Sequence, residues 1–204
     1  STINLPCGRE SLDKWVVLDV QTIDGRIHAR VKAMFFGTEV EWIEGIGTPY
    51  IVWSGERDCQ PTDGSIVRPY TLCAADNAGN ILYSYNLEHI GVINECPNWS
   101  RITPDNPPRL PSLCDTWNVM VVDNVTCGGC EEYHTYRHYL TTDTIIEERR
   151  YRKLLVEGKY EGALREGDNK NIYCVPAGTT HEYLLYDFNA KVGDKLENVW
   201  LGGS

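Results

Sequence analysis

The sequence predicts an all-β fold, an antiparallel β-sandwich or barrel-like roll with little helix. Three observations carry that prediction. Short runs rich in β-branched and aromatic residues recur between Gly, Asp, Asn and Pro turn signals. Tyr (12) and Trp (6) outnumber Phe (3), a bias that suits strands and amphipathic surfaces. The stretch 151–188 reads as four short strands cut by turns. In it, YEGALRE alternates, with Tyr160, Gly162 and Leu164 on one face and Glu161, Ala163 and Arg165 on the other. Gly167 to Lys170 is a turn, Asn171 to Val175 is β-branched and aromatic, and Pro176-Ala177-Gly178 breaks it. Glu182 to Phe188 is apolar on both faces, as a central strand between two layers would be.

The other elements follow in chain order. Residues 1–14 are a polar lead-in. Trp15 to Ile23 and Arg26 to Phe36 form a hairpin across Asp24-Gly25, a dipeptide that accepts a type I′ turn. Val16, Leu18, Val20 and Thr22 are expected on one face, opposite Ile27, Ala29, Val31, Ala33 and Phe35. Glu39 to Ile43 is a short strand ending at Gly45-Ile46-Gly47, and residues 54–68 are a polar loop. Tyr70 to Ala74 and Asn80 to Tyr85 make a second hairpin. Five of the ten prolines fall between Cys96 and Ser112, an extended linker that suits no sheet interior. Thr116 to Val122 and Tyr133 to Thr141 are strands, and Val192 to Trp200 closes the chain. Thr144 to Glu147 also resembles a capping box, which would make Ile145 to Leu155 a helix. The four-residue polar gap between its apolar positions favours strand–turn–strand instead. At 204 residues, the expected organisation is one β domain, 1–204, formed by 1–95 and 113–204 together with 96–112 as the Pro-rich linker.

Composition excludes some functions. A net charge of −10 argues against a nucleic-acid partner, because the one basic run, Arg149 to Lys153, directly follows Glu147 and Glu148. Eight cysteines in a turn-rich chain fit an oxidising compartment. The candidate disulfide cysteines are Cys7, Cys59, Cys73, Cys96, Cys114, Cys127, Cys130 and Cys174, with connectivity open. No run approaches the ~20 apolar residues needed to span a bilayer, and no signal peptide is visible.

The runs DTII, YRKL, YEGALRE, IYCVPAG and EYLLYDFNAKVGDKLENVW, with the earlier WIEGIG and LCAADNAGNILY, resemble a recurrent module of secreted and surface lipoproteins of Bacteroides-type bacteria. The resemblance implies a β-rich fold and a place in the periplasm, at the cell surface or outside the cell. It carries over no catalytic residue. Two departures stand out. The related module has an Asn-Gly-like turn where this chain has Glu147-Glu148-Arg149-Arg150. It also places EGALRE and LLYDF before WIEGIG, an order inverted here. Circular permutation, a window cut across tandem units, or halves swapped between neighbouring molecules as a dimer would each account for that. Asp143-Thr144-Ile145 matches the O-glycosylation pattern of envelope proteins in such bacteria, making Thr144 a candidate modification site.

Cys127-Gly-Gly-Cys130 with His134 and His138 invites a zinc reading, but the spacing is poor. On one strand the two histidines share a face yet stand roughly 13 Å apart, too far to ligate one ion. A redox reading of the two cysteines needs a following helix, and none is expected. Nucleophile elbows, P-loops and HExxH are absent. Glu166, Glu182 and Asp187 are plentiful carboxylates from which a glycosidase pair can be drawn. Of the six tryptophans, Trp42 and Trp117 read as core anchors. Trp53 and Trp99, in polar and Pro-rich loops, are candidate ligand contacts.

The expectation is a non-catalytic secreted or cell-envelope module that binds a glycan or protein, with no catalytic residue, cofactor or metal assigned. A carbohydrate-active enzyme using paired carboxylates and a secreted protease inhibitor presenting the 54–68 loop are the alternatives.

Overall fold

The computed structural model describes residues 13–34, 37, 39–48, 67–75, 81–84, 116–125 and 130–200. Among these there are twelve strands and no helix. They are β1 (Asp13–Ile23), β2 (Arg26–Ala33), β3 (Glu39–Ile43), β4 (Val67–Ala75), β5 (Ile81–Ser84), β6 (Thr116–Val125), β7 (Cys130–Ile146), β8 (Arg149–Val156), β9 (Lys159–Glu166), β10 (Asn171–Pro176), β11 (Tyr183–Asp187) and β12 (Lys195–Val199). All belong to one sheet in the order β3-β2-β1-β12-β11-β10-β9-β8-β7-β6-β4-β5. The expectation of an all-β fold is met. The sheet is not closed, because its order ends on β3 and β5.

Every neighbouring pair is antiparallel except β11 and β12. That parallel seam has a single register pair, Leu184 with Val199, backed by Trp200 N–H donating to the Leu184 carbonyl at 2.8 Å. It divides the sheet into a four-stranded section, β3-β2-β1-β12, and an eight-stranded one. The sections turn their apolar faces toward each other. Trp42 of β3 packs edge-on against Tyr186 of β11, ring centroids 5.7 Å apart, and tilts against Trp15 of β1 at 6.2 Å. Trp42, Tyr183 and Phe188 are almost wholly buried, each worth roughly 2–3 kcal/mol of transfer free energy.

The turn after β3 locks the two sections. Ile43 and Gly47 exchange backbone hydrogen bonds of 2.6 and 2.8 Å, folding WIEGIG back on itself. Ile46 enters the core, and its carbonyl accepts from Trp117 Nε1 of β6 at 2.8 Å. The Glu44 carboxylate reaches Lys170 in the β9–β10 turn at 2.5 Å and accepts from Ile27 N–H at 3.2 Å. Gly47 has φ +93°, and a Cβ there would stand 2.8 Å from the Tyr186 hydroxyl. Only glycine fits both the conformation and the space.

Three expectations are corrected in detail. Alternation in β1 does not run unbroken through Val16, Leu18, Val20 and Thr22. The buried residues are Trp15 and Val17, and a bulge between Val17 and Asp19 shifts the phase so that Val20 meets Ala29. Val67 and Arg68 belong to β4, not to the preceding loop. Tyr160 does not share a face with Gly162 and Leu164. The register shift at Leu154/Leu155 leaves Glu161 unpaired and sets Tyr160 opposite Leu155, on the other side. The helix alternative over 145–155 gives way to β7, a two-residue turn and β8. The 96–112 segment lies outside the described residues.

Candidate functional site

The core-facing side of the eight-stranded section carries Leu140, Leu154, Leu164, Ile172 and Cys174. The reverse, outer side carries a second small cluster of Tyr151, Ala163 and Val175 with Ile146 against it. Cross-strand partners share a face, so the register places Tyr151 of β8, Arg165 of β9 and Tyr173 of β10 together on the outer side. Glu182, in the lead-in to β11, completes the cluster.

Glu182 accepts four hydrogen bonds. Arg165 donates from Nε to Oε1 and from Nη2 to Oε2, both at 2.6 Å, a bidentate fork. The Tyr151 hydroxyl donates to Oε1 at 2.5 Å and Arg149 Nη1 to Oε2 at 3.0 Å. A carboxylate offers about four lone-pair sites, and here all are filled. Burial alone would raise the Glu182 pKa. The hydrogen bonds from Arg165 and Tyr151, with the charges of Arg165 and Arg149, outweigh it and hold the group below the ordinary glutamate value. The bond to Glu182 likewise raises Arg165, against the opposing effect of burial. The Tyr151 hydroxyl is pushed up by burial and by its bond to Glu182. Arg165 also lies over the Tyr173 ring, 4.3 Å from its centroid. Tyr173 can lie that flat because Gly167 leaves room for it: a Cβ at Gly167 would meet Tyr173 Cε2 at 2.8 Å.

The three carboxylates read from sequence as a glycosidase pair do not come together. Glu166 stands opposite Ile172, and Asp187 opposite Asn171, the next residue along β10, so the two point to opposite faces. Glu182 and Asp187 share a strand direction but are separated by five residues, about 15 Å. Asp187 is raised by burial and by the charge of Asp194, against stabilising backbone N–H groups of Asn189 and Ala190.

Trp53 and Trp99 lie outside the described residues, as do Cys7, Cys59, Cys96, Cys114 and Cys127. Cys130 opens β7. Cys73, in β4, is disulfide-bonded. Cys174 corrects the sequence expectation: it is a free, fully buried thiol, because alternation in β10 turns it into the core opposite Leu164 and Tyr183. Burial, then the charge of Glu182, pushes its pKa well up. His134 and His138 both fall in β7, and His138 is buried. Among the described residues no group of three or more His, Cys, Asp and Glu is placed to hold a metal ion. Thr144 is half-buried on the outer side, opposite Tyr151. Sequence reasoning named Glu182 but not its partners Tyr151 and Arg165, which lie 31 and 17 residues away and meet it only through strand register. Their one signal was the outward position of Arg165 in YEGALRE.

No protein family, no curated protein and no solved structure matches the chain.

Proposed function

We propose that this chain is a non-catalytic module of the bacterial cell envelope or secretome that binds a glycan or protein ligand. The observation that carries the reading is the state of Glu182. Its pKa is lowered and its carboxylate accepts four hydrogen bonds from the chain's own donors, Arg165, Tyr151 and Arg149. Such a group serves poorly as a general acid or base, which needs a pKa near the working pH and a free site for the travelling proton. It serves well as a brace that fixes arginine and tyrosine side chains on an outward sheet face, the preorganisation that binding surfaces need. The disulfide at Cys73 supports the oxidising compartment that export implies. The resemblance to lipoprotein modules of Bacteroides-type bacteria supports the same location.

The test is a glycan array together with a pull-down from host and microbial extracts, run beside a turnover screen on defined polysaccharides and peptides. The reading expects a saturable ligand and no turnover. Robust turnover of a defined substrate by pure protein would overturn it.

A further inference from the structure

The sheet ends on β3, and the edge of that strand is half closed and half open. Glu44 N–H donates to the Ile27 carbonyl of β2 at 2.8 Å, so by strand alternation Trp42 and Val40 also turn their backbone groups toward β2. Glu39, Glu41 and Ile43 turn theirs away from the sheet. Ile43 is satisfied by its own turn: its N–H donates to the Gly47 carbonyl at 2.6 Å, and its carbonyl accepts from Ile46 at 3.0 Å and Gly47 at 2.8 Å. The outward N–H and C=O groups of Glu39 and Glu41 meet no partner among the described residues. Two donors and two acceptors therefore stand in line along the edge. The side chains of Glu39 and Glu41 are exposed on the outer side, where they face the basic positions of β2. Lys32 lies 3.3 Å and Arg30 4.0 Å from Glu39, and His28 lies 2.9 Å from Glu41. Val40, between them, points inward and packs partly buried against the core.

We propose that the β3 edge binds an extended segment of a protein partner by strand addition, and that this segment alternates basic and apolar residues. This names the partner class for the binding reading above and rests on it. In strand addition the backbone hydrogen bonds give affinity and the side chains opposite give specificity. The partner residues that bond the backbone of Glu39 and Glu41 in an antiparallel addition point to the outer side, directly opposite the two carboxylates. Lys or Arg there completes a row of alternating charge: basic β2, acidic β3, basic partner. The partner residue between them points inward beside Val40, so an apolar one extends the rim of the core. Charge decides against a second copy of this chain. In every register left open by the Ile43–Gly47 turn, two β3 edges would set glutamate opposite glutamate, and like charges directly opposite destabilise a sheet. A short, charged edge resists indiscriminate pairing. Here the same charges reject neutral and acidic strands and admit a basic one.

The test is a fluorescence-anisotropy titration of the full chain with the labelled, end-blocked peptide TVKVKVT, its acidic counterpart TVEVEVT, and two N-methylated forms of the basic peptide. Methyl groups on both lysine nitrogens remove the donors that face β3, whereas one on the central valine nitrogen lies on the far side of the added strand. The basic peptide should bind saturably and the acidic one about tenfold or more weaker. Methylation of the lysines should weaken binding about tenfold or more, and methylation of the central valine about twofold or less. Glu41→Pro removes an outward N–H that no bond inside the chain uses, so it should keep the wild-type circular dichroism and lose binding by about tenfold. Glu41→Lys should shift the preference toward the acidic peptide. Three results overturn the inference: no saturable binding of the basic peptide, equal binding of its lysine-methylated form, or binding that folded Glu41→Pro leaves unchanged. The peptide comparisons use unaltered protein, so they decide the matter even where a variant fails to fold. If they fail while the glycan array or the pull-down yields a saturable ligand, the edge is removed and the module reading stands; robust turnover removes the module reading itself.

Discussion

Glu182 gathers donors from three side chains, two of them little exposed, so replacing it with glutamine removes the charge and turns one acceptor oxygen into an NH2 donor facing Arg165 or Tyr151. Glu182→Gln should cost about 2–3 kcal/mol in urea unfolding at pH 7, nearly all of it from Arg165 and Tyr151. Arg149, with 60% of its side chain exposed, adds little. The sign with pH follows from the depressed folded pKa. Its stabilisation is present above the ordinary value of 4.5 and is lost as pH falls through the lower folded value. The gap between wild type and Glu182→Gln should therefore close on acidification. Asp187 works the other way: its raised pKa gives a contribution present below 3.8 and lost as pH rises through the folded value. A gap that stays constant down to pH 2 would show that Glu182 acts by packing alone. At Gly47, φ and the Tyr186 hydroxyl both oppose a side chain, whereas Gly178 has positive φ but open space around it. Gly47→Ala should cost about 3 kcal/mol or more and Gly178→Ala about 1 kcal/mol, compared by thermal unfolding. Cys174 should resist alkylation in native protein and react only after denaturation, read by peptide mapping. With Cys174 free, the other seven cysteines cannot all pair within one chain.

The β7–β8 turn is made by Glu147 and Glu148, at φ 45° and 66°. A type I′ turn asks for positive φ at both central positions, and glutamate adopts it at a cost of about 1–2 kcal/mol per residue. Replacing the pair by Asn-Gly should stabilise the protein by about 1–2 kcal/mol in chemical denaturation; a loss of stability would mean that the glutamates hold the turn by contacts of their own. The hairpin was legible as strand–turn–strand because a four-residue polar gap breaks helical periodicity, and the first hairpin because Asp24-Gly25 names its own turn. The bulges were not legible. One extra residue at Leu18 and one at Glu161 each invert the facing of everything beyond them, and neither is marked by a glycine or proline at the bulge itself. Tyr160 was therefore assigned to the wrong side. The Glu182 cluster was hidden for a related reason: its members are spread over four segments, and only register brings them to one face.

At the scale of the molecule, the first three strands and the last form one section of sheet that folds over the rest. The WIEGIG turn acts as the clasp, and β11–β12 is the narrow seam. Local patterns give the strands, but the closure depends on pairs far apart in sequence, such as β1 with β12 and Glu44 with Lys170, which no local pattern encodes. That closure puts the Tyr- and Arg-bearing side of the eight-stranded section outward, so the proposed binding face depends on it. It is tested most directly by zero-length carbodiimide cross-linking of dilute protein, followed by peptide mass spectrometry of the monomer fraction. Lys14 Nζ lies 3.0 Å from Glu197 Oε1 across β1 and β12, both side chains well exposed, and Lys170 Nζ lies 2.5 Å from Glu44 Oε1 across the clasp. The predicted result is both links, Lys14–Glu197 and Lys170–Glu44, within single chains. Absence of both links, or their appearance only in a dimer fraction between isotopically distinct copies, would contradict a sheet that folds over within one molecule.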